Sequence, residues 1–310
     1  MSRLRYEHDT KSKVAVCLLT YNHSEFIIET LKSIKEQSFK DFDLFVSDDK
    51  STDKTYYKTK SFLKKNFFNY KLYRQKKNIG VTRNCNFLLR KTRSKYKFLV
   101  LFAGDDLMQQ DRLRLQINCL QKNPNASFCY SNCYWFFFSK KFKFRHFHFF
   151  QKTPKNFKDL IQDFSIPTPT IMYNGKFMRN ILFDERFTYL SDMVMVLNLW
   201  KKSKPVFLNR SLILYRRHQG SMMISKNITQ DRKKIKKFIL NKNKKKYNKS
   251  MKHFEMLIFY SDCISKLKNK KKISFAQYLK LIKMALTSIK WSARCGVLTF
   301  FYFKNKFTTL

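Results

Sequence analysis

Two consecutive aspartates close the apolar run Phe98-Leu99-Val100-Leu101-Phe102-Ala103-Gly104-Asp105-Asp106, and they are the first candidates for chemistry in this chain. Adjacent carboxylates are hard oxygen donors suited to Mg2+ or Mn2+, and a cation held there can in turn hold a diphosphate. Gly-Asp-Asp also makes an ordinary polar turn after a core strand, so the pair takes its meaning from its company. A second acidic cluster, Ser47-Asp48-Asp49-Lys50-Ser51-Thr52-Asp53, follows the apolar Phe42-Asp43-Leu44-Phe45-Val46. Thr20-Tyr21-Asn22 ends a third apolar run, Val14 to Leu19, with polar and aromatic groups placed to hold a base and ribose. Asp192 opens the apolar stretch Ser191 to Trp200, where the helix dipole alone would favour an acid.

The elements that must position these groups alternate. Val14 to Leu19 reads as a strand, followed by a helix with Ser24 as its cap and Phe26, Ile27, Thr30, Leu31 and Ile34 at helical spacing. Phe42 to Val46 is a second strand, with Thr52 or Asp53 capping a helix that carries Tyr56, Phe62 and Leu63. Tyr70 to Tyr73 is a third, and Asn78-Ile79-Gly80-Val81 a turn opening a helix through Arg83, Phe87 and Leu88. Strands alternating with helices pair in parallel through right-handed crossovers, so Thr20, Asp49 and Asp105/Asp106 should meet at one sheet edge. Further on, Asp111 to Gln121 reads as a helix, Ala126 to Tyr130 as a strand and Pro205 to Leu214 as an edge strand. The Phe/Lys interleaving from Trp135 to Phe150 reads as a twisted half-buried hairpin in preference to an acceptor or membrane contact. Lys/Asn-rich Arg232 to Ser250 reads as a solvated helix or linker, followed by two amphipathic helices.

With 310 residues, 44% hydrophobic and 17% aromatic, the chain can bury a sizeable core. Its net charge of +44 suggests an anionic partner, but the excess runs through the whole chain. A nucleic-acid-binding protein would account for the charge and the aromatic interleaving, though not for four aspartates converging on a cleft. A catalytically silent membrane-surface scaffold is the other alternative. The seven cysteines are odd in number, lack C-x-x-C pairs and are expected to be reduced, which suits a cytoplasmic location. No secretory signal is read at Met1 to Thr10, and no run approaches the roughly 18 apolar residues of a membrane-spanning helix.

Taken together, Thr20-Tyr21-Asn22, Ser47 to Asp53, Asn78-Ile79-Gly80 with Arg83-Asn84, Gly104-Asp105-Asp106, Phe183-Asp184-Glu185, Ser191-Asp192 and Tyr215-Arg216-Arg217-His218 resemble, in order and spacing, the family 2 glycosyltransferases. That resemblance implies an α/β chain of GT-A type, with a Rossmann-like nucleotide-sugar-binding fold and a mixed, mainly parallel central sheet. Residues 12–221 would form the glycosyltransferase domain, 12–106 the nucleotide-sugar half and 107–221 the acceptor half, with 222–310 a basic helical C-terminal extension. The resemblance further implies that Thr20, Tyr21, Asn22 and Asp49 hold the nucleoside, with Arg83 near the nucleotide. Asp105 and Asp106 correspond to the D-x-D-type motif that binds Mn2+ or Mg2+, Asp106 being the direct ligand. His218 lies by the diphosphate or the metal, and Asp192 is the general base. Ser191 departs from the family pattern, which often has an acid there and so leaves Asp184 and Glu185 as rivals. Lys50 departs where Gly or Asn is common. The implied reaction is metal-dependent, inverting transfer of a sugar from a nucleotide-diphospho-sugar to a hydroxyl acceptor in cell-surface glycan assembly. A lipid-linked acceptor and an anionic membrane surface are the expected further partners, with no nucleic acid, and the location expected is cytoplasmic or peripheral on the inner membrane face. Sugar, nucleotide, acceptor and oligomeric state are not legible.

Overall fold

A computed structural model describes residues 14–67, 69–136, 143–145, 153–163, 165–218, 229–239 and isolated positions between 255 and 274. These fall into two compact units, one drawn from 1–145 and 167–218 and the other from 146–166 and 219–310.

The first unit is built on one mixed sheet. β1 (Val14–Thr20), β2 (Phe42–Asp48), β3 (Tyr70–Arg74) and β4 (Phe98–Ala103) pair in parallel in the order β3-β2-β1-β4. The crossovers are α1 (Ile27–Lys35), α2 (Thr55–Asn66) and α3 (Val81–Thr92). The central strands are apolar throughout because both faces are covered: Val14 to Leu18 and Phe98 to Phe102 are buried without a break. Registers align Thr20 with Asp48 and Leu19 with Ala103, so the three strand ends that carry the sequence motifs stand level. Asp49 N–H donates to Thr20 O and Gly104 N–H to Leu19 O, both at 2.9 Å, which carries the alignment one residue past the strands.

Beyond β4 the sheet departs from the expected, mainly parallel pattern. After β5 (Leu107–Met108) and α4 (Arg112–Lys122) come β6 (Phe128–Phe136) and β7 (Lys143–Arg145), and α5 (Phe157–Asp163) belongs to the second unit. β8 (Met172–Asn174), the short α6 (Gly175–Met178), α7 (Ser191–Lys202) and β9 (Val206–Arg216) return to the first. β8 runs antiparallel to both β4 and β6, β6 is parallel to β9, and β5 and β7 are antiparallel to β9 and β6. Parallel and antiparallel pairings are therefore balanced, because a short strand such as β8 needs no helical crossover to reach its neighbour. β9 is interior, flanked by β6 and β5, where an edge strand was expected. The β6–β7 pairing of Trp135 with Phe144 supplies the expected hairpin, while most of the Phe/Lys run lies outside the described residues.

Gly175 is where α6 turns off the sheet. A Cβ there would strike the carbonyl oxygens of Tyr96 and Lys97, so only glycine lets this segment close on the end of α3's loop. In the second unit a helix over 229–239 buries Ile235 and Ile239. This helix opens the segment Arg232 to Ser250, read as a solvated helix or linker, and its two isoleucines are not solvated; the rest of that tract beyond residue 239 lies outside the described residues, as do the two expected amphipathic helices apart from helical positions at 255, 256, 258, 259, 262 and 263.

Candidate functional site

The diacid sits where the expectation put it, at the carboxyl end of β4, and the second half of the chain folds back over it. Leu107 of β5 pairs with Leu214 of β9, which brings the residues after Leu214 alongside Asp105 and Asp106. Arg216 N–H donates to Asp106 Oδ1 at 2.9 Å, and Arg216 Nε donates to the Asp105 carbonyl at 2.9 Å. The Arg216 guanidinium is fixed by Glu29 at 2.7 Å and lies 4.6 Å from the rings of both Phe26 and Phe136. His218 Nε2 lies 3.1 Å from Asp105 Oδ2, and His23 Nε2 lies 4.0 Å from the same oxygen.

The two carboxyls are driven apart in acidity. Burial tends to raise Asp105, but the His218 hydrogen bond and the charges of His23 and His218 outweigh it and hold it below the usual range. Asp106 is fully buried; burial, and then the charge of Asp105, push it well above that range, and the Arg216 N–H and the nearby arginines recover only part. Burial likewise lowers His23.

Three buried polar atoms here have no hydrogen-bond partner: Thr20 Oγ1, His23 Nδ1 and Asp106 Oδ2. The first two lie against Gly104, where a Cβ would come within 3.1 Å of Thr20 Oγ1 and 2.7 Å of His23 Nδ1, and the third is two residues further along the chain. Native interiors rarely leave such groups unsatisfied, and a cluster of them at a sheet edge is what a polar ligand would complete. Among the described residues no three His, Cys, Asp or Glu stand together as a ready metal site. His218 Nε2 is hydrogen-bonded to Asp105, and Arg216 N–H donates to Asp106. The donor set nevertheless fits a hard divalent cation: two adjacent carboxylates, one with an oxygen left over.

On the neighbouring strand ends the loops are stitched by side chains. Asp49 is buried and accepts from Ile79 N–H at 2.8 Å and Gly80 N–H at 2.9 Å; burial pushes its carboxyl above the usual range, offset in part by those two bonds. Gly80 holds φ +84, a conformation that side chains rarely adopt. Asn22, at φ +54, accepts from Thr52 N–H at 2.9 Å and so ties the β1 loop to the β2 loop, next to a half-exposed Tyr21. Lys50 lies at φ +61, which explains why Gly or Asn suits that position; a lysine there costs roughly 1–2 kcal/mol. Ser24, expected to cap α1, and Thr52 or Asp53, expected to cap α2, do not occupy the N-cap positions, which fall at Phe26 and Lys54 without a side-chain cap; Asp53 instead accepts from Thr55 N–H at 2.9 Å and Ser24 N–H at 3.0 Å, and its hydrogen bonds overcome burial to hold it below the usual carboxylate range.

Sequence reading passed over Asp48, which is fully buried, bonded to Ser51 and 3.7 Å from Arg74 Nε. It also passed over Arg74, stacked 4.5 Å over Tyr56, and over His23. The doubled acid in Ser47-Asp48-Asp49 was the available signal for Asp48.

At the acceptor side Asp192 occupies the first turn of α7. Its Oδ2 accepts from Thr168 Oγ1 at 2.6 Å and its Oδ1 from Met193 N–H at 2.7 Å. The rival acids have other partners. Asp184 forms a forked pair with Arg186, 2.6 Å from Nη2. Glu185 accepts from Asn86 at 3.0 Å and Arg83 at 3.2 Å, with Arg90 at 3.6 Å. Arg83, expected near the nucleotide, is thereby engaged by Glu185 and lies exposed on α3.

A parallel β-α half whose strand ends carry acids, joined to a mixed half that folds a histidine back onto them, is the arrangement of the GT-A fold. The chain belongs to glycosyl transferase family 2, which residues 15–187 match. An uncharacterized glycosyltransferase of Rickettsia felis is 28% identical over 199 residues, covering 63% of this chain and 31% of that protein. A second, from Rickettsia conorii, is 25% identical over 193 residues, with 62% and 31% covered. The chain spans about a third of the length of these curated relatives. Among solved structures, S. aureus TarS 1-349 in complex with UDP-GlcNAc superposes with TM-score 0.58 at 18% identity, covering 74% of this chain and 67% of that one. The mannosyltransferase PcManGT from Pyrobaculum calidifontis, in complex with GDP-Man and Mn2+, superposes with TM-score 0.55 at 13% identity, covering 93% and 84%. At such identities the likeness speaks for the fold.

Proposed function

We propose that this chain transfers a sugar from a nucleotide-diphospho-sugar to a hydroxyl acceptor, with inversion at the anomeric carbon, in the assembly of a cell-surface glycan. The observation that carries the reading is the cluster of unsatisfied Thr20, His23 and Asp106 atoms beside the diacid at the level strand ends. Thr20, Tyr21, Asn22 and Asp49 line the nucleoside side, and Asp105, Asp106 and His218 the diphosphate side. TarS with its UDP-sugar and PcManGT with its GDP-sugar and Mn2+ support a donor of this class. Asp105 and Asp106 are the residues that would hold Mn2+ or Mg2+, which when bound neutralises charge on the departing diphosphate.

The protein groups act around that centre. Asp192 accepts the proton of the acceptor hydroxyl as its oxygen forms a bond to the anomeric carbon. The bond from that carbon to the diphosphate oxygen breaks, and its electron pair leaves on the nucleoside diphosphate. The backbone N–H and side chain of Arg216 keep the diacid loop in place, so the electrostatic environment is set before substrate arrives. The domain proposed for this chemistry is 12–221, with 222–310 a basic extension that attaches to an anionic membrane surface carrying a lipid-linked acceptor. The reading is tested by incubating the full chain with Mn2+ and a panel of UDP- and GDP-sugars and measuring nucleoside diphosphate release. Release from at least one donor is expected, and release from none refutes it.

A further inference from the structure

A hydroxyl that bonds Asp192 lies 24 residues upstream, on Thr168. We infer that Thr168 is a positioning residue for the transfer step, holding the Asp192 carboxylate through its hydroxyl, and that α4 locks Thr168 in place through Arg112 and Gln116. The inference rests on the proposed function, with Asp192 as base.

Thr168 opens the one-turn 3-10 helix Thr168–Thr170 and lies between Pro167 and Pro169. A proline fixes its own φ and restricts the residue before it, so the backbone that presents the Thr168 hydroxyl has little freedom of its own. The turn is then pinned from outside. Arg112 Nη2 donates to Pro169 O at 2.7 Å and to Ile171 O at 3.3 Å, and Gln116 Nε2 donates to Thr170 O at 2.7 Å. Arg112 Nε donates to Gln116 Oε1 at 3.1 Å, so the two anchors also fix each other. Inside the turn Thr170 Oγ1 donates to Pro167 O at 2.7 Å.

Arg112 is fully buried, and burial lowers its guanidinium to about 9, which leaves it charged at neutral pH. Burying a cation away from any carboxylate partner within salt-bridge distance is unfavourable, and such a group is kept where it satisfies specific acceptors. Here the acceptors are main-chain carbonyls of the Thr168 turn. The same guanidinium lies 5.1 Å over the ring of Phe102, three residues before Asp105 on the β4 segment. One buried side chain therefore links the strand end that bears the diacid to the turn that bears Thr168, and Thr168 to Asp192. That chain of contacts fixes the distance between the donor side and the proposed base, a quantity to which single-displacement transfer is acutely sensitive.

The test measures nucleoside diphosphate release by the full chain from whichever UDP- or GDP-sugar it turns over, for the parent, Thr168→Val, Thr168→Ser and Asp192→Asn. Thr168→Val keeps the shape and deletes the hydroxyl. It should lower kcat roughly 10- to 100-fold with the donor KM within about twofold, while Thr168→Ser stays within about threefold of the parent in kcat. If Thr168→Val does not fold, Thr168→Ala replaces it with the same expectation. A parent-like kcat in the hydroxyl-less variant alongside an inactive Asp192→Asn overturns this inference alone. An equal loss in Thr168→Ser also overturns it, because it shows that packing and not the hydroxyl matters. A parent-like Asp192→Asn overturns the base assignment and this inference with it, and no turnover of any donor overturns the proposed function itself.

Discussion

Asp106→Asn should move stability and ligand binding in opposite directions. In the native protein Asp106 is fully buried, its Oδ1 is satisfied by Arg216 N–H at 2.9 Å, and its Oδ2 has no partner. A buried acceptor left in that state costs about 1–3 kcal/mol, more when the group is charged and faces a second carboxylate. Asparagine has the same shape, keeps an oxygen for Arg216 N–H and carries no charge beside Asp105. The ligand-free variant should therefore be as stable as the parent or more stable by about 1 kcal/mol, a rise of roughly 2–4 °C in Tm for a domain of this size. A ligand at 100 times its Kd adds about 2.7 kcal/mol to the folded state. The parent should gain that much from a nucleoside diphosphate with Mn2+, and the variant should gain next to nothing. Thermal melts of both proteins, with EDTA and with Mn2+ plus UDP or GDP, read both effects. A ligand-free variant less stable by more than about 1 kcal/mol, or one that keeps the parent's ligand-induced rise, would falsify the reasoning.

Other expectations follow from single contacts. Asp192→Asn should bind nucleoside diphosphate with the parent's affinity in calorimetry yet lose at least about 100-fold in transfer, as removal of a general base does; parent-like turnover rules the role out. Gly104→Ala pushes a Cβ against His23 and Thr20, so it should fold normally but weaken donor binding, and unchanged affinity in fluorescence titration argues that these groups do not face the donor. Gly175→Ala collides with backbone carbonyls that cannot rotate away and should lose about 1–3 kcal/mol in urea unfolding; an unchanged midpoint contradicts the close approach. Cys17 is buried, and burial pushes its thiol up to about 12, so at pH 8 it should resist iodoacetamide until the protein unfolds; mass spectrometry of labelled peptides checks this.

The parallel half was legible because its signals are local. Each of β1, β2 and β4 is an unbroken apolar run ending in polar residues, and alternation with helices leaves one way to pair them. The amino-acid sequence alone therefore brings Thr20, Asp49 and the diacid to one edge. The second, mixed half depends on pairings between distant segments, several of them short. β5 has two residues and β8 three, too few for a periodic signal, yet they decide that β9 is interior and that Arg216 and His218 return to Asp105 and Asp106. The tie from Ser24 N–H to Asp53 had the same origin, since the two loops meet only in three dimensions. So did the partners of Asp184, Glu185 and Arg83: sequence shows their charges but not which ones neutralise each other. The Thr168 to Asp192 contact carried no sequence signal beyond two flanking prolines.

Isothermal titration of UDP and GDP into the full chain, with Mn2+ and then with EDTA, tests most directly whether the edge formed by Thr20, His23, Asp105 and Asp106 is a metal-dependent donor site. The account predicts saturable binding of one nucleotide per chain in Mn2+ and its loss in EDTA. Absence of binding to either nucleotide, or binding that EDTA leaves unchanged, would contradict it.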